Sequence, residues 1–369
     1  MANDTGGQVM KAPVFDISSP SLYRLRVIAT IRNSVMVELE LIAPAAKART
    51  RVGAGEKIIQ ASSVIAARKP GSDEVGFGAK CLVSASLPYR NPKPEQLING
   101  AWLRHNGNYA LWIQGGINGI PYGIYPRLFV MWLTSEALRT GSRKIHTGGT
   151  FAEFCRKLNI DRSRGKRGAG KALIEQADRF LQSRAAFVTL PAHLATGKRA
   201  DILSAKLKHT DLLNFADEYS LFFDPDEQAS QQGSLFGSEI TLTENFFNEI
   251  TTHCIPVDLR AVSALQRSPM DLDIYQWLAY RMFKLTKPAR PTWEQLYQQF
   301  GSNYGRLRDF RSEFIESLKR VELVYPGLRV CEAEGGSGLV LYPSPTPVAP
   351  TSLPSGRSGD ELPQLLLAS

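Results

Sequence analysis

Asp273-Ile-Tyr-Gln-Trp-Leu-Ala-Tyr-Arg-Met-Phe-Lys-Leu285, followed through Lys287 and Arg290 by Thr292-Trp-Glu-Gln-Leu-Tyr-Gln-Gln-Phe-Gly-Ser302, is the stretch whose reading decides the fold. Tyr275, Leu278, Ala279 and Met282 recur at i, i+3, i+4 and i+7, so one face of a helix is apolar. Thr292 and Gln295 stand as a capping box: the hydroxyl accepts from the third backbone N–H and the amide reaches back to the cap N–H. A short helix therefore starts at Thr292. A longer one follows, with Leu307, Phe310, Phe314, Leu318 and Val321 expected inward and Arg306, Arg308 and Ser312 outward. Helix, short capped helix and basic helix in this order predict a helix-turn-helix, which places its last helix on DNA. Val324 to Val330 and Gly338 to Tyr342 then predict a hairpin, a wing beside it.

The pattern occurs a second time. Pro126 to Thr140 (PRLFVMWLTSEALRT) carries the same Trp-Leu pair at Trp132 and Leu133, with Gly141 closing the helix. Arg143 and Lys144 form a basic turn, and Thr150 with Glu153 repeats the capping box. In the next helix Leu173, Ile174, Ala177, Phe180 and Leu181 make the expected core stripe, while Lys171, Glu175 and Arg179 face away. Ala185 to Leu190 and Leu213 to Phe223 read as strands, a second wing. Asn108 to Ile117 alternates like a further strand. Two copies in one chain suggest two reading heads on one duplex.

The chain has 369 residues, 43 % of them hydrophobic, which suits two or three modules with packed cores. No apolar run reaches the ~18 residues of a membrane span, and no charged n-region precedes an apolar one at the N-terminus, so a cytoplasmic protein without a membrane partner is expected. The net charge of +9 favours an anionic partner. Lys and Arg minus Asp and Glu comes to about +11 over residues 91–200, about −9 over 211–260 and about +4 over 261–330. The cations fall on the two helix-turn-helix stretches. The acidic middle reads as a linker face or a site for a protein partner.

Cys81, Cys155, Cys254 and Cys331 make no CxxC pair, and no His completes a zinc set, so buried reduced thiols are expected, with no metal and no cofactor. His105, His146, His193, His209 and His253 show neither HxH nor HExxH spacing. A nicking Rep enzyme would need paired metal-binding His near a Tyr nucleophile, so the expectation is a protein that binds DNA without catalysis. A transcriptional repressor is the alternative that shares every motif. Gly165 to Ala172 (GKRGAGKA) mimics a phosphate loop, but position 172 lacks the hydroxyl that binds Mg²⁺ and no strand precedes it. Arg162, Arg164, Lys166 and Arg167 read better as phosphate clamps at the start of a helix. Lys171, Arg290 and Arg311 join them as candidate DNA contacts. Arg306 and Arg308 suit bidentate contact with guanine, and Asn303 suits adenine. Gln232-Gly-Ser-Leu-Phe236 is similar to a sliding-clamp-binding pentapeptide through Gln232, Leu235 and Phe236, with Gly233 where Leu is usual. The rival reading is a core strand.

Taken in order, further strings resemble a known family. They are Leu87-Pro-Tyr-Arg90, Gly107-Asn-Tyr-Ala-Leu111, Gly119-Ile-Pro-Tyr-Gly123 with Pro126-Arg127-Leu128, and Thr134-Ser-Glu-Ala137 with Ser142-Arg-Lys144. In the second half they are Leu235-Phe-Gly-Ser238 with Asn245-Phe-Phe247, Pro256-Val-Asp-Leu-Arg260, Asp273-Ile-Tyr-x-Trp277-Leu278, Gln299-Phe300-Gly301 and Tyr325-Pro326. Over residues 61–345 the chain resembles plasmid replication initiators of the RepA type. The resemblance implies tandem winged helices that bind repeated origin sites (iterons) in double-stranded DNA and open adjacent A·T-rich DNA. It also implies recruitment of host replication proteins, a replicative helicase or initiator, and autorepression at the protein's own promoter by a homodimer in equilibrium with monomer.

The expected fold class is α+β, mainly helical, with tandem winged-helix domains and β-wings. Residues 1–75 are expected as a partly disordered extension, with unassigned strand-like alternation over Leu25 to Ile42 and a weak helix or basic linker over 45–75. Residues 76–230 would form the first winged helix, supplying dimerisation and phosphate contacts. Residues 231–343 would form the second, supplying sequence readout, and 344–369 a disordered tail.

Overall fold

Two tryptophan-bearing helices organise the molecule. Pro126 at the start of one and Pro269 at the start of the other cost no hydrogen bond there, because first-turn N–H groups have no helical partner. In the computed structural model the described residues are 54–107, 109–147, scattered positions between 153 and 160, 169–189, 209–221, 239–301 and 304–349. The strand-like stretch 25–42 and the tail from 350 lie outside them.

The chain enters through α1 (Ala54–Ala67), β1 (Val75–Ala79) and α2 (Lys80–Ser84), then β2 (Ala101–Asn106) and β3 (Tyr109–Gln114). Helix α3 (Ile124–Thr140) follows, buried from Pro126 through Thr134 on nearly every side. Gly141 ends it in the left-handed region, φ 64°, where glycine has no steric cost, and its N–H returns to the Ala137 carbonyl. Next come β4 (Lys144–His146), α4 (Ala169–Gln182), β5 (Arg184–Thr189), β6 (His209–Asn214), β7 (Ala216–Ser220) and β8 (Glu239–Leu242). The second copy is led in by α5 (Glu244–Thr252), β9 (Cys254–Asp258) and α6 (Leu259–Leu265). It comprises α7 (Pro269–Lys284), α8 (Trp293–Phe300), α9 (Leu307–Val324), β10 (Val330–Glu332) and β11 (Leu339–Leu341). The class is therefore mixed α and β.

The strands of the first copy form an antiparallel sheet in the order β2-β3-β5-β6. Of the expected wing, Ala185 to Leu190 falls on β5 inside this sheet, whereas Leu213 to Phe223 spans the end of β6 and all of β7, and β7 belongs to a separate sheet, so the two stretches do not form a free hairpin. The turn expected at Arg143 and Lys144 tightens into β4, whose partner is β8 in the order β4-β8-β7. Ile174 is only half-buried, and Gln176 takes its expected place in the core stripe of α4. Thr150 lies outside the described residues, so the first capping box does too; Glu153, Cys155 and Arg156 are helical.

The acidic middle is not a linker over its described part. Phe246, Ile250, Ile255 and Val257 are fully or almost fully buried, and β9 pairs with β1 from Val75–Asp258 to Ala79–Cys254. That pairing ties residues of the first half to the second. So does a buried ion pair: Arg127 of α3 donates to both oxygens of Asp273 of α7, at 2.7 and 2.8 Å. The same guanidinium donates to the Leu87, Pro88 and Gly123 carbonyls and lies 5.1 Å from the Tyr89 ring. Burial pushes the Asp273 carboxyl up, and Arg127 pulls it back down. One continuous apolar cluster accordingly runs from Ile58 through both Trp-Leu helices to Leu341.

Candidate nucleic-acid interface

The second copy shows how the sequence builds its presenting surface. Ser268 caps α7 by accepting from Asp271 N, and the Thr292–Gln295 box closes as expected, with Thr292 N donating to Gln295 and Gln295 N to Thr292. Rings then lock three helices together, two pairs edge to face and one tilted. Trp277 of α7 meets Phe300 of α8 at 5.5 Å, Phe300 meets Phe314 of α9 at 5.4 Å, and Trp293 meets Phe314 at 5.9 Å. Each such pair adds roughly 0.5–1.5 kcal/mol beyond the area it buries. The turn between α8 and α9 is held by Tyr297, whose hydroxyl donates to the Tyr304 carbonyl at 2.5 Å. A Cβ at Gly301 would come within 2.6 Å of the Tyr297 carbonyl oxygen, so only glycine lets the turn close this tightly.

The inward stripe of α9 is Phe310, Phe314, Ser317, Leu318, Val321 and Val324. Leu307, expected inward, is 36 % exposed instead. It opens the helix and lies beyond the reach of the core. Helix α9 is not basic along its length: Arg308, Arg311, Lys319 and Arg320 are balanced by Asp309, Glu313, Glu316 and Glu322. Arg320 is spent on Asp271 at 2.6 Å and Lys319 on Glu316 at 2.8 Å. The surplus is confined to the N-terminal end, where Arg306 occupies the cap position without a side-chain cap bond. Among the described residues the cap side chain accepts from none of the first N–H groups of α9, and together with the helix dipole these favour an anion.

The candidate contacts differ in freedom. Arg306 and Arg308 are exposed; among the described residues Arg308 pairs with its neighbour Asp309, at 3.3 Å, with 82 % of its side chain in solvent. Arg311 is held. It pairs with Glu332 of β10 at 2.6 Å and lies 5.2 Å from the Trp293 ring, so it joins the hairpin to α8 and α9. Arg290 is exposed between two residues bonded to the hairpin: Ala289 exchanges backbone hydrogen bonds with Leu341, and Pro291 accepts from Leu339 N. Lys171 is exposed in the first turn of α4. Asn303, the clamp set Arg162, Arg164, Lys166 and Arg167, and the pentapeptide residues Gln232, Leu235 and Phe236 lie outside the described residues. The sequence reading missed the Trp293–Arg311–Glu332 assembly. Glu332 sits in a strand with no spacing that signals a partner on a helix.

Among the described residues no helix is long and apolar enough to cross a membrane, and no group of His, Cys, Asp and Glu is placed to hold a metal. No curated protein matches the chain in sequence. Solved structures of RctB are among those that resemble it. The crystal structure of RctB domains 2–3 does so at 14 % identity and TM-score 0.42, over 72 % of this chain and 95 % of that one. The selenomethionine form of RctB domains 2 and 3 does so at 13 % identity and TM-score 0.38, over 64 % and 87 %. The family model of the plasmid-encoded RepA protein matches residues 120–295. That span runs from the entry to α3 into the first turn of α8 and takes in both Trp-Leu helices, and over it the chain is similar to the plasmid-encoded RepA family.

Proposed function

We propose that the protein is a plasmid replication initiator that binds repeated origin sites through two winged helices, residues 76–230 and 231–343. The observation that carries this reading is α9 with its cations gathered at the open N-terminal end, behind a capped short helix and beside a hairpin. Helix-turn-helix proteins read bases with the N-terminal residues of the second helix. In this reading Arg306 and Arg308 read bases, Asn303 joins them, and Arg290 and Arg311 set the hairpin against the backbone. Arg162, Arg164, Lys166, Arg167 and Lys171 bind phosphates from the first module, which also forms the homodimer. Autorepression, origin opening and recruitment of a host helicase or initiator, with the sliding clamp as a further partner through Gln232, Leu235 and Phe236, complete the proposal. Hydroxyl-radical footprinting on the origin of the plasmid that encodes the chain tests it. Protection repeating at a fixed interval supports the reading, and uniform protection of any duplex removes it.

A further inference from the structure

The seam between the two copies holds a cleft of about 200 Å³, far above the roughly 10–15 Å³ that a single water needs. Its walls combine rings, amides and a cation: Trp277, Tyr280 and Arg281 of α7, Gln295 of α8, and Asn106 at the β2–β3 turn. The Gln295 carbonyl is used by Thr292 N, which leaves its NH₂ to donate. Arg281 lines the cleft, and Lys284, Lys287 and Arg290 follow it in the sequence, one cation every third residue up to the lining Pro291. Lys80, from α2 of the first half, comes 5.8 Å from the Tyr280 ring, and Lys284 comes 5.3 Å from it.

Among the described residues none of these five cations pairs with a carboxylate. Exposed cations elsewhere do: Arg68 with Glu74, Arg139 with Glu136, Lys144 with Glu239, Lys319 with Glu316. Arg281 and Lys284 also suit the C-terminal end of a helix dipole. That accounts neither for Lys80, nor for the two cations beyond the helix, nor for the cleft. Phe283, one turn from Tyr280, leaves 44 % of its surface in solvent.

Cations that track a backbone beside aromatic rings are the chemistry of single-stranded nucleic acid. A duplex keeps its bases stacked and presents none to a hollow. We propose that this cleft is a single-stranded DNA site: an unpaired base enters against Tyr280, Gln295 donates to its edge, and Lys80, Arg281 and Lys284 hold the flanking phosphates. The proposal rests on the reading of the protein as an initiator, since an opened origin supplies the strand.

The test uses the full chain and three labelled probes: oligo(dT), an abasic strand of the same length, and a duplex carrying the origin repeats. The wild type should prefer oligo(dT) to the abasic strand. The triple variant Lys80→Ala, Arg281→Ala, Lys284→Ala should bind oligo(dT) about tenfold more weakly and lower its salt slope by about 2, at ~0.7 per phosphate on a single strand. Duplex binding should stay at the wild-type level. Ser84→Trp fills the cleft while keeping every cation and should erase the preference for oligo(dT). Equal losses on duplex and single strand would place the cations on the duplex backbone and overturn the proposal. So would an unchanged slope on oligo(dT), or a wild type indifferent to the missing bases. If the wild type binds oligo(dT) but not the repeats, the initiator reading fails and the cleft site stands.

Discussion

Arg127 and Asp273 stand at nearly matching places in the two repeated helices, five and four residues before their tryptophans. A repeat that packs against its own copy brings such positions together, and opposite charge there makes the contact specific. The pair is buried, and the guanidinium is further satisfied by three backbone carbonyls. Removing one partner leaves a charge in the core, so Asp273→Ala should lower the unfolding free energy by about 3–5 kcal/mol. Replacing both with apolar residues of similar volume should cost much less, which urea denaturation of the single and double variants would show. Glu74 offers a pH counterpart. The Arg68 guanidinium beside it holds its carboxyl down at about 2, against an ordinary value of 4.5. A depressed carboxylate stabilises the fold fully above the unfolded value, and the contribution disappears as pH falls from there through the folded one. The stability gap between wild type and Glu74→Gln should therefore be largest at neutral pH, shrink below about 4.5 and vanish near 2. A gap that persists at the acid end would mean the carboxylate is not what matters there.

At the scale of elements, α9 divides its labour by position. Its C-terminal half is anchored through Arg320 to Asp271, and its N-terminal end carries the exposed arginines. Arg308→Ala should weaken binding to the repeats by roughly 1–3 kcal/mol and leave random duplex nearly unaffected, as expected of a base contact. Equal loss on both in a competition assay would show that α9 is not the reader. The hairpin depends on close backbone approach. A Cβ on Gly338 would lie 2.1 Å from the Pro291 carbonyl oxygen, and backbone cannot step aside. Gly338→Ala should cost about 1–3 kcal/mol, seen as a lower urea midpoint. The second copy was legible because its signals are local: a 3.6-residue stripe, a cap box, and prolines and glycines at helix ends. Sheet partners were not. The β1–β9 pair joins residues about 180 positions apart, and no local pattern encodes which strand meets which. The reading of the acidic middle as a linker failed for a related reason. Net charge describes the exposed faces of β8, α5 and β9, whereas Phe246 and Val257 decide where these elements go. Among the candidate contacts, spacing placed Arg306 and Arg308 outward but said nothing of the ties that hold Arg311.

At the scale of the whole molecule, the two copies share one core rather than a tether. β1 pairs with β9, Arg127 meets Asp273, and Arg104 of β2 donates to the Tyr297 and Gln299 carbonyls of α8. If both copies engage one duplex, fixing them in this way would raise each one's effective concentration through geometry, without the entropy of a flexible linker. A fragment beginning near Ser234 would lose the partner strand of β9 and orphan Asp273. It should unfold at lower urea than the full chain, so its DNA affinity says little about the first head. The contribution of that head is better measured in the intact chain. Changing Arg164, Lys166 and Arg167 together to Ala should reduce the salt slope of duplex binding by roughly 2–3, at about 0.9 per phosphate on duplex DNA. The footprint of the wild type should extend past one turn of the major groove, and in the triple variant it should contract to the side read by α9. An unchanged slope with an unchanged footprint would remove the first head from the duplex. The strongest positive segment of the chain would then have to serve another anion.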